Sequence, residues 1–365
     1  MEYHRRSIWL NEERTGIFVI DQRLLPGKVE TLFINSTEGT IHAIQDMVVR
    51  GAPLIGVTAA YGMWLAAREN EGKENFAEKM EEAAKRLQET RPTAVNLVWA
   101  LERQLQVVAE RNGSDDVVEA LLNEAEKITE EDVEMCREIG LHGFDILEEI
   151  AQRKGNVNIL THCNAGRLAC VEYGTATSPI YIAHERGIDL HVWVDETRPR
   201  LQGAKLTAFE LAEAGIPHTV IPDNAAGHVM ARGMVDMVIV GCDRLTSNGD
   251  ACNKIGTYTK ALAAQDNDIP FYVALPSSTI DWKIEHWKDI PIEERSGEEV
   301  STISGISGGE MCSVTITPEN SPTANYSFDV TPARLITNII TEKGISHPNK
   351  NDLRKLFTQE STTNH

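Results

Sequence analysis

Beyond residue 155 the chain is built of short apolar runs separated by helical stretches, and this rhythm limits the fold more than any other feature of the sequence. The runs are Val157-Asn158-Ile159-Leu160, His191-Val192-Trp193-Val194, His218-Thr219-Val220-Ile221, Val235 to Val240 and Pro270 to Leu275. Such runs are too short for core helices, and where they lack polar alternation they suit strands buried on both faces. Helical periods at Leu206 to Ala214, Ala225 to Ala231 and Ile255 to Ala264 fall between them. Strand and helix in alternation predict a doubly wound, mainly parallel sheet.

Upstream the pattern is helical. Thr37 to Val49 sets Ile41, Ile44 and Val48 on one face, and Phe76 to Glu89, Leu97 to Val108 and Val117 to Ile128 carry the same period. Thr129-Glu130-Glu131-Asp132 has the form of a capping box and predicts a new helix reaching about Ala151, stopped by Gln152-Arg153-Lys154-Gly155. With a few short strands such as Gly16 to Asp21, the expectation is a mostly helical N-terminal domain over 1–152 and a catalytic domain over 153–365. The Ser/Gly stretch from Ser301 to Gly309 reads as a loop or insertion.

Charge narrows the partners. The chain has 55 Asp and Glu against 35 Lys and Arg, a net charge of −20. A protein that grips a polyanion through its overall field needs a basic face, so no nucleic acid and no anionic membrane is expected as a partner. Any anion must be held by local chemistry. No apolar run reaches the roughly 18 residues of a membrane span, the start Met1-Glu2-Tyr3-His4-Arg5-Arg6 lacks the apolar stretch of a secretory signal, and six cysteines without a C-x-x-C pair suit reduced thiols. The chain reads as cytoplasmic.

In open α/β sheets ligands bind outside the carboxyl ends of the strands, so the residues just after each run are the candidates for chemistry. The first run enters Thr161-His162-Cys163-Asn164-Ala165-Gly166, the second Asp195-Glu196-Thr197-Arg198-Pro199, another Gly241-Cys242-Asp243-Arg244. Cys163 is open to two readings: a small buried residue, or a reactive thiol whose pKa is lowered by helix amides at a strand-to-helix turn. Asp243 is either a turn or loop-bracing residue or, if desolvated, a carboxyl able to exchange a proton near neutral pH. Cys170 and Cys242 read as structural, and His162 as a hydrogen-bonded structural histidine.

In the N-terminal half, Arg50-Gly51-Ala52-Pro53 lies between two apolar helices, where glycine and alanine admit a ligand to the backbone and a helix start can hold an anion. The plainer alternative is an ordinary turn with a solvated arginine; Arg91-Pro92-Thr93 poses the same choice. No G-x-x-x-x-G-K-[ST] loop and no G-x-G-x-x-G follows a strand, so neither ATP nor NAD is expected, and no His-x-x-x-His or His/Asp cluster suggests a metal.

These segments, with Gln202-Gly203-Ala204, Asn248-Gly249-Asp250, Asn253-Lys254-Ile255-Gly256-Thr257-Tyr258 and Phe328-Asp329-Val330-Thr331-Pro332, resemble the methylthioribose-1-phosphate isomerase family in order across roughly residues 5–345. That aldose isomerase family is similar in fold to the regulatory subunits of a eukaryotic translation-initiation nucleotide-exchange factor. The resemblance implies a Rossmann-like C-terminal domain, a homodimer, and no metal or cofactor. It implies Cys163 and Asp243 as the catalytic pair, with Arg50, Gly51, Ala52, Arg91, Gln202, Asn253 and Lys254 holding a phosphosugar. Arg167 stands where the resemblance implies a small residue and Cys242 where it implies alanine. Arg167 and Glu172 are spaced poorly for pairing on a helix, so one of them is expected to face the site. The C5 group of the sugar stays open between methylthio, deoxy and phosphate, and a non-catalytic regulatory subunit is the rival from another functional class.

Overall fold

The computed structural model describes residues 6–91, 93–111 and 116–358. Residues 1–5, which make up most of the start that lacks a signal's apolar stretch, and Pro92 of the Arg91 turn lie outside the described residues. A small antiparallel sheet opens the chain: β1 (Ile8–Leu10), β2 (Ile17–Ile20) and β3 (Thr31–Ile34), in that order. Five helices follow: α1 (Thr37–Gln45), α2 (Ala52–Asn70), α3 (Phe76–Gln88), α4 (Val95–Arg111) and α5 (Val117–Lys154). Helix α2 is apolar all round and is buried from Ala52 to Ala67, as a helix enclosed by its neighbours must be.

Helix α5 corrects the expected break at Thr129. The chain stays helical across it, and the Thr129 hydroxyl donates back to the Ala125 carbonyl at 2.7 Å, one turn earlier, so it caps no helix start. The first turns of α5 pack with α2 and α4, while Ile139, Phe144, Leu147 and Ile150 join the core beneath the parallel sheet. Gly140 and Gly143 permit the next helix to approach: a Cβ on Gly140 would lie 2.1 Å from Ser178 Oγ, and one on Gly143 2.3 Å from Pro179 Cγ.

The second half alternates β4 (Val157–Thr161), α6 (Ser178–Glu185), β5 (Leu190–Asp195), α7 (Ala208–Glu213), β6 (His218–Ile221), α8 (Ala226–Ala231) and β7 (Met237–Val240). After β7 come β8 (Arg244–Thr246), β9 (Ala251–Lys254), α9 (Thr257–Asp266), β10 (Phe271–Ala274) and β11 (Ile280–Asp281). The chain closes with α10 (Glu298–Ser301), β12 (Thr302–Ser307), β13 (Glu310–Thr315), β14 (Phe328–Thr331), β15 (Asn338–Thr341), β16 (Gly344–Ser346) and α11 (Lys350–Thr358). All five apolar runs are strands of one sheet, ordered β16-β15-β10-β7-β4-β5-β6, with only β16 antiparallel. Ile159 and Ile239 face α5 and α6, whereas Leu160, Val238 and Val240 face α8 and α9, so helices cover both faces.

Among the parallel strands the order reverses between β4 and β7, which makes their carboxyl ends the switch point where such sheets open a crevice. Two features depart from the expectation. The segment around Asp243 to Lys254 forms a second sheet, ordered β11-β8-β9-β14. The stretch from Ser301 to Gly309, expected as a loop or insertion, is regular: Ser301 ends α10, and residues 302–309 form β12 and the turn of the β12–β13 hairpin, at Gly308 and Gly309.

Asp132 of α5 ties that helix to the loop beyond β4: its Oδ2 accepts the Val171 N–H at 2.7 Å, beside the buried thiols of Cys136 and Cys170. Burial pushes its carboxyl up to about 7. The folded protein therefore keeps a proton that the unfolded chain releases above about pH 4. Asp132's contribution to stability is complete below that pH and is lost as pH rises to about 7. An Asp132→Asn variant keeps the acceptor and removes the titration. Urea unfolding across pH 4–8 should show the variant gaining on the wild type up to about pH 7, and a constant difference would overturn this.

Candidate active site

The nine residues singled out in the sequence, Arg50, Gly51, Ala52, Arg91, Cys163, Gln202, Asp243, Asn253 and Lys254, line a single cleft at the switch point. Cys163 follows β4 and Asp243 follows β7, so the two strands that flank the reversal aim one thiol and one carboxyl into the same space. Helix α2 starts at the cleft wall with no side chain capping its first turn and Pro53 near its start. Gly51, at φ +96°, lets the backbone pass Ala169: a Cβ there would lie 2.5 Å from the Ala169 Cα.

Cys163 is buried, at φ +65°, a left-handed conformation that non-glycine residues rarely hold. Two threonines clamp it. The Cys163 N–H donates to Thr197 Oγ1 at 2.8 Å, and the Thr207 hydroxyl donates to the Cys163 carbonyl at 2.6 Å. The expected lowering of its pKa is not found. Burial raises it, with Arg50 and Lys254 pulling the other way and Asp243 adding to the rise. The following turn is a single 3-10 turn, Arg167–Ala169, rather than the start of an α-helix, so the dipole invoked for the thiol is missing.

Asp243 is reachable from the cleft, and its backbone N–H is held by the Cys252 carbonyl at 2.9 Å. Burial raises its carboxyl pKa above the ordinary range, opposed by Lys254, Arg50 and Arg91. Lys254 lies with Nζ 4.5 Å from the Phe328 ring centroid, and burial lowers its ammonium pKa. Arg91 is buried and donates Nε to Glu293 at 3.2 Å, while its Nη1 is buried without a protein partner. A buried guanidinium with an unspent donor, next to Arg50, Lys254 and a helix start, is suited to an anion. An acidic protein thus gathers its cations locally.

His162 behaves as expected of a structural histidine: Nδ1 meets Asp195 Oδ2 at 2.9 Å and Nε2 meets the Ile255 carbonyl at 2.8 Å. Tertiary structure does gather two sets of metal-type ligands that the sequence disperses, His162 with Asp195 and Asp223, and Asp132 with Cys136 and Cys170. In the first, Lys260 Nζ lies 3.2 Å from Asp195 Oδ2, so an ammonium supplies the positive charge. Cys170 and Cys242, read as structural, both reach the cleft wall, and Cys242 Sγ donates to the Cys252 carbonyl at 3.4 Å. Neither Arg167 nor Glu172 faces this cleft, against expectation: Arg167 pairs with Glu213 and Glu172 lies 3.8 Å from Arg6, both on the wall of a separate cavity.

A wider chamber of about 550 Å³ adjoins the cleft through Met47, Arg50 and Gln202, with the β12–β13 hairpin on one side. Lys205 Nζ donates to Ser304 Oγ at 2.6 Å and Arg198 Nη2 to the Val300 carbonyl at 2.8 Å, which pins the hairpin there. Sequence reasoning passed over Thr207, Glu210 and Glu293. Thr207 and Glu210 lay within a predicted helix, and nothing near Glu293 marked it.

A Rossmann-type sheet with a thiol and a carboxyl at its switch point and a cationic cradle from the helical half defines the class, and the match to known proteins agrees. The chain belongs to the Initiation factor 2 subunit family, whose sequence model matches residues 48–348. Within that family it is 52% identical over 356 residues to the methylthioribose-1-phosphate isomerase of Desulfatibacillum aliphaticivorans, covering 96% of each chain. Its structure is similar to that of 5-methylthioribose 1-phosphate isomerase from Pyrococcus horikoshii OT3, with 42% identity, a TM-score of 0.84, and coverage of 97% and 96% of the two chains. It is also similar to a structure described as translation initiation factor eIF-2B, subunit delta, from A. fulgidus, with 41% identity, a TM-score of 0.78, and coverage of 96% and 98%.

Proposed function

We propose that this protein is an aldose-ketose isomerase that converts 5-methylthioribose 1-phosphate to 5-methylthioribulose 1-phosphate, a step of methionine salvage. The observation that carries the reading is the pair Cys163 and Asp243 at the switch point, facing a cleft that also holds Arg50, Arg91 and Lys254. An aldose with phosphate on its anomeric oxygen cannot open to a free aldehyde, so the ring needs acid. Asp243, whose carboxyl pKa is raised by burial, acts as the acid and gives its proton to the ring oxygen as the C1–O bond breaks. Cys163, as the thiolate, takes the proton from C2 and returns it to C1, and the C2 hydroxyl gives its proton to the Asp243 carboxylate, so the ketose results with both side chains restored. The positive charge that grows at C1 is offset by the substrate's own phosphate, which Arg50, Arg91, Lys254, Asn253, Gln202 and the Gly51-Ala52 amides hold in place.

No cofactor is needed for these steps, because acid and hydrogen carrier are both side chains. Met47 and Phe328 give the cleft apolar surface suited to a methylthio group. The homodimer and a cytoplasmic location belong to the same proposal, and sedimentation velocity checks the first. Among the described residues no helix is long and apolar enough to cross a membrane.

The test is a comparison of kcat/KM for methylthioribose 1-phosphate, 5-deoxyribose 1-phosphate and ribose 1,5-bisphosphate with one preparation. Methylthioribose 1-phosphate should lead by at least about tenfold, the scale on which a pocket senses a small apolar group. A lead by another of the three would reassign the C5 group. Turnover of none would favour the second reading, a regulatory subunit of the same fold, which the A. fulgidus likeness supports.

A further inference from the structure

Glu210 of α7 is buried, and among the described residues no cation pairs with its carboxylate; the nearby Arg167 side chain goes to Glu213 instead. Four neutral donors meet it. Oε1 accepts Asn164 Nδ2 at 2.9 Å and the Leu168 N–H at 3.1 Å; Oε2 accepts the Arg167 N–H at 2.9 Å and the Tyr181 hydroxyl at 2.7 Å. Burial, and then the Glu210 charge, push the Tyr181 phenol well above its ordinary range, which keeps that hydroxyl a donor. An ionised carboxylate only accepts, so every group around Glu210 must present a proton.

That demand has a direction. Asn164 must turn its NH₂ toward Glu210, and the same Nδ2 also donates to Thr207 Oγ1 at 3.2 Å. Thr207 can accept there because its own proton is committed to the Cys163 carbonyl. With its nitrogen engaged, Asn164 has only Oδ1 left for the cleft, and Oδ1 accepts from Arg50 Nη1. Arg50 Nη2 donates to the Asn164 backbone carbonyl at 2.7 Å, so the guanidinium is gripped by a fork of two acceptors. A flipped Asn164 amide would face Arg50 with a donor and open the fork.

We propose that Glu210 is a positioning residue that, by fixing the orientation of the Asn164 side-chain amide, places the Arg50 guanidinium in the catalytic cleft and holds the Cys163 turn through Thr207. Glu210 touches no substrate; it acts through Asn164. This role rests on the function proposed above for Arg50 and Cys163. Arg50 is also one of the charges acting on the Cys163 thiol, with Lys254 from β9 and Asp243 beyond β7. Arg50 and Lys254 lower the thiol's pKa, and displacing Arg50 lets it rise.

The experiment compares wild type, Glu210→Gln, Asn164→Asp and the double variant. Glu210→Gln sets an NH₂ among four donors and should raise KM about tenfold or more, with kcat changed less, as expected for a lost bond to a charged group. The pH midpoint for iodoacetamide alkylation of Cys163, read by peptide mapping to separate it from exposed Cys312, should move upward. In the double variant the amide introduced by Glu210→Gln donates to the carboxylate introduced by Asn164→Asp, whose other oxygen still accepts from Arg50, while the Leu168 N–H and Thr207 Oγ1 lose their partners there. KM should therefore recover in part, by about threefold over either single variant.

An unchanged KM and alkylation midpoint in Glu210→Gln would overturn the inference. So would parallel loss of kcat/KM and thermal stability with no recovery in the double variant, since that marks Glu210 as structural only. If wild type turns over no sugar phosphate, the proposed function falls, and the alkylation midpoints still decide whether Glu210 places Arg50.

Discussion

Replacing Asp243 by asparagine should lower kcat by about 10³-fold, within the roughly 10²–10⁴ that a positioned proton donor contributes. Asparagine keeps the size and the cleft wall but cannot release a proton to the ring oxygen, so the first bond to break loses its assistance. KM should change little, because the cations that hold the phosphate are undisturbed. The pH profile carries the sharper signature. Burial raises the pKa of this carboxyl, so its acid form persists to higher pH than an ordinary aspartate allows. Activity in the wild type should fall as pH rises through that raised value, about tenfold per pH unit once past it. Bound phosphosugar adds negative charge and pushes the value further up, so the fall in kcat should lie above that in kcat/KM. The Asp243→Asn enzyme should lack this limb. A variant that retains both near-normal turnover and the limb would remove Asp243 from the mechanism.

Removing the Cys163 thiol should be as damaging. Cys163→Ala is expected to lose about 10³-fold in kcat with KM nearly unchanged, because hydrogen then has no carrier between C2 and C1. Serine should not rescue it, since a hydroxyl at the same place exchanges its proton far less readily than a thiol. Folding and function also pull in opposite directions at this position. The residue sits at φ +65°, where glycine is at ease and a side chain is strained by about 1 kcal/mol. Cys163→Gly should therefore unfold at higher urea than Cys163→Ala by about that amount, although both are inactive. Equal stability of the two would show that the strain is absent, and near-normal turnover in Cys163→Ala with deuterium moving wholly from C2 to C1 in labelled water would show that the thiol is not the carrier.

The parallel sheet was legible in the sequence because its central strands are buried on both faces and so appear as apolar runs; β7 and β10 are buried at every residue, whereas the edge strand β6 exposes Thr219 and Val220. The same physics hid the second sheet. Its strand β9, Ala251–Lys254, directs Asn253 and Lys254 toward the cleft, so polar residues sit where a pattern reader expects apolar ones. Thr129 misled for a related reason: the hydroxyl that caps a helix start can equally bond back one turn inside a helix, and only the packing of α5 across two cores decides between them. The stretch from Ser301 to Gly309 read as a loop or insertion because Ser and Gly carry little pattern, yet the β12–β13 pairing is set by backbone hydrogen bonds, which any residue other than proline can make.

The chemistry divided in the same way. Sequence alone determined the kinds of group available at the strand ends and ruled out a basic surface, because charge and residue type are properties of the chain whatever its shape. Tertiary structure decided what those groups can do. Arg50 reaches Asn164 across 114 residues, Asn164 reaches Glu210 across 46, and Arg91 reaches Glu293 across 202. Hydrogen bonds act over about 3 Å and burial is a property of the surroundings. The orientation of an amide, the fork around Arg50 and the raised pKa values of Cys163 and Asp243 therefore came into being only when distant segments were brought to one cleft.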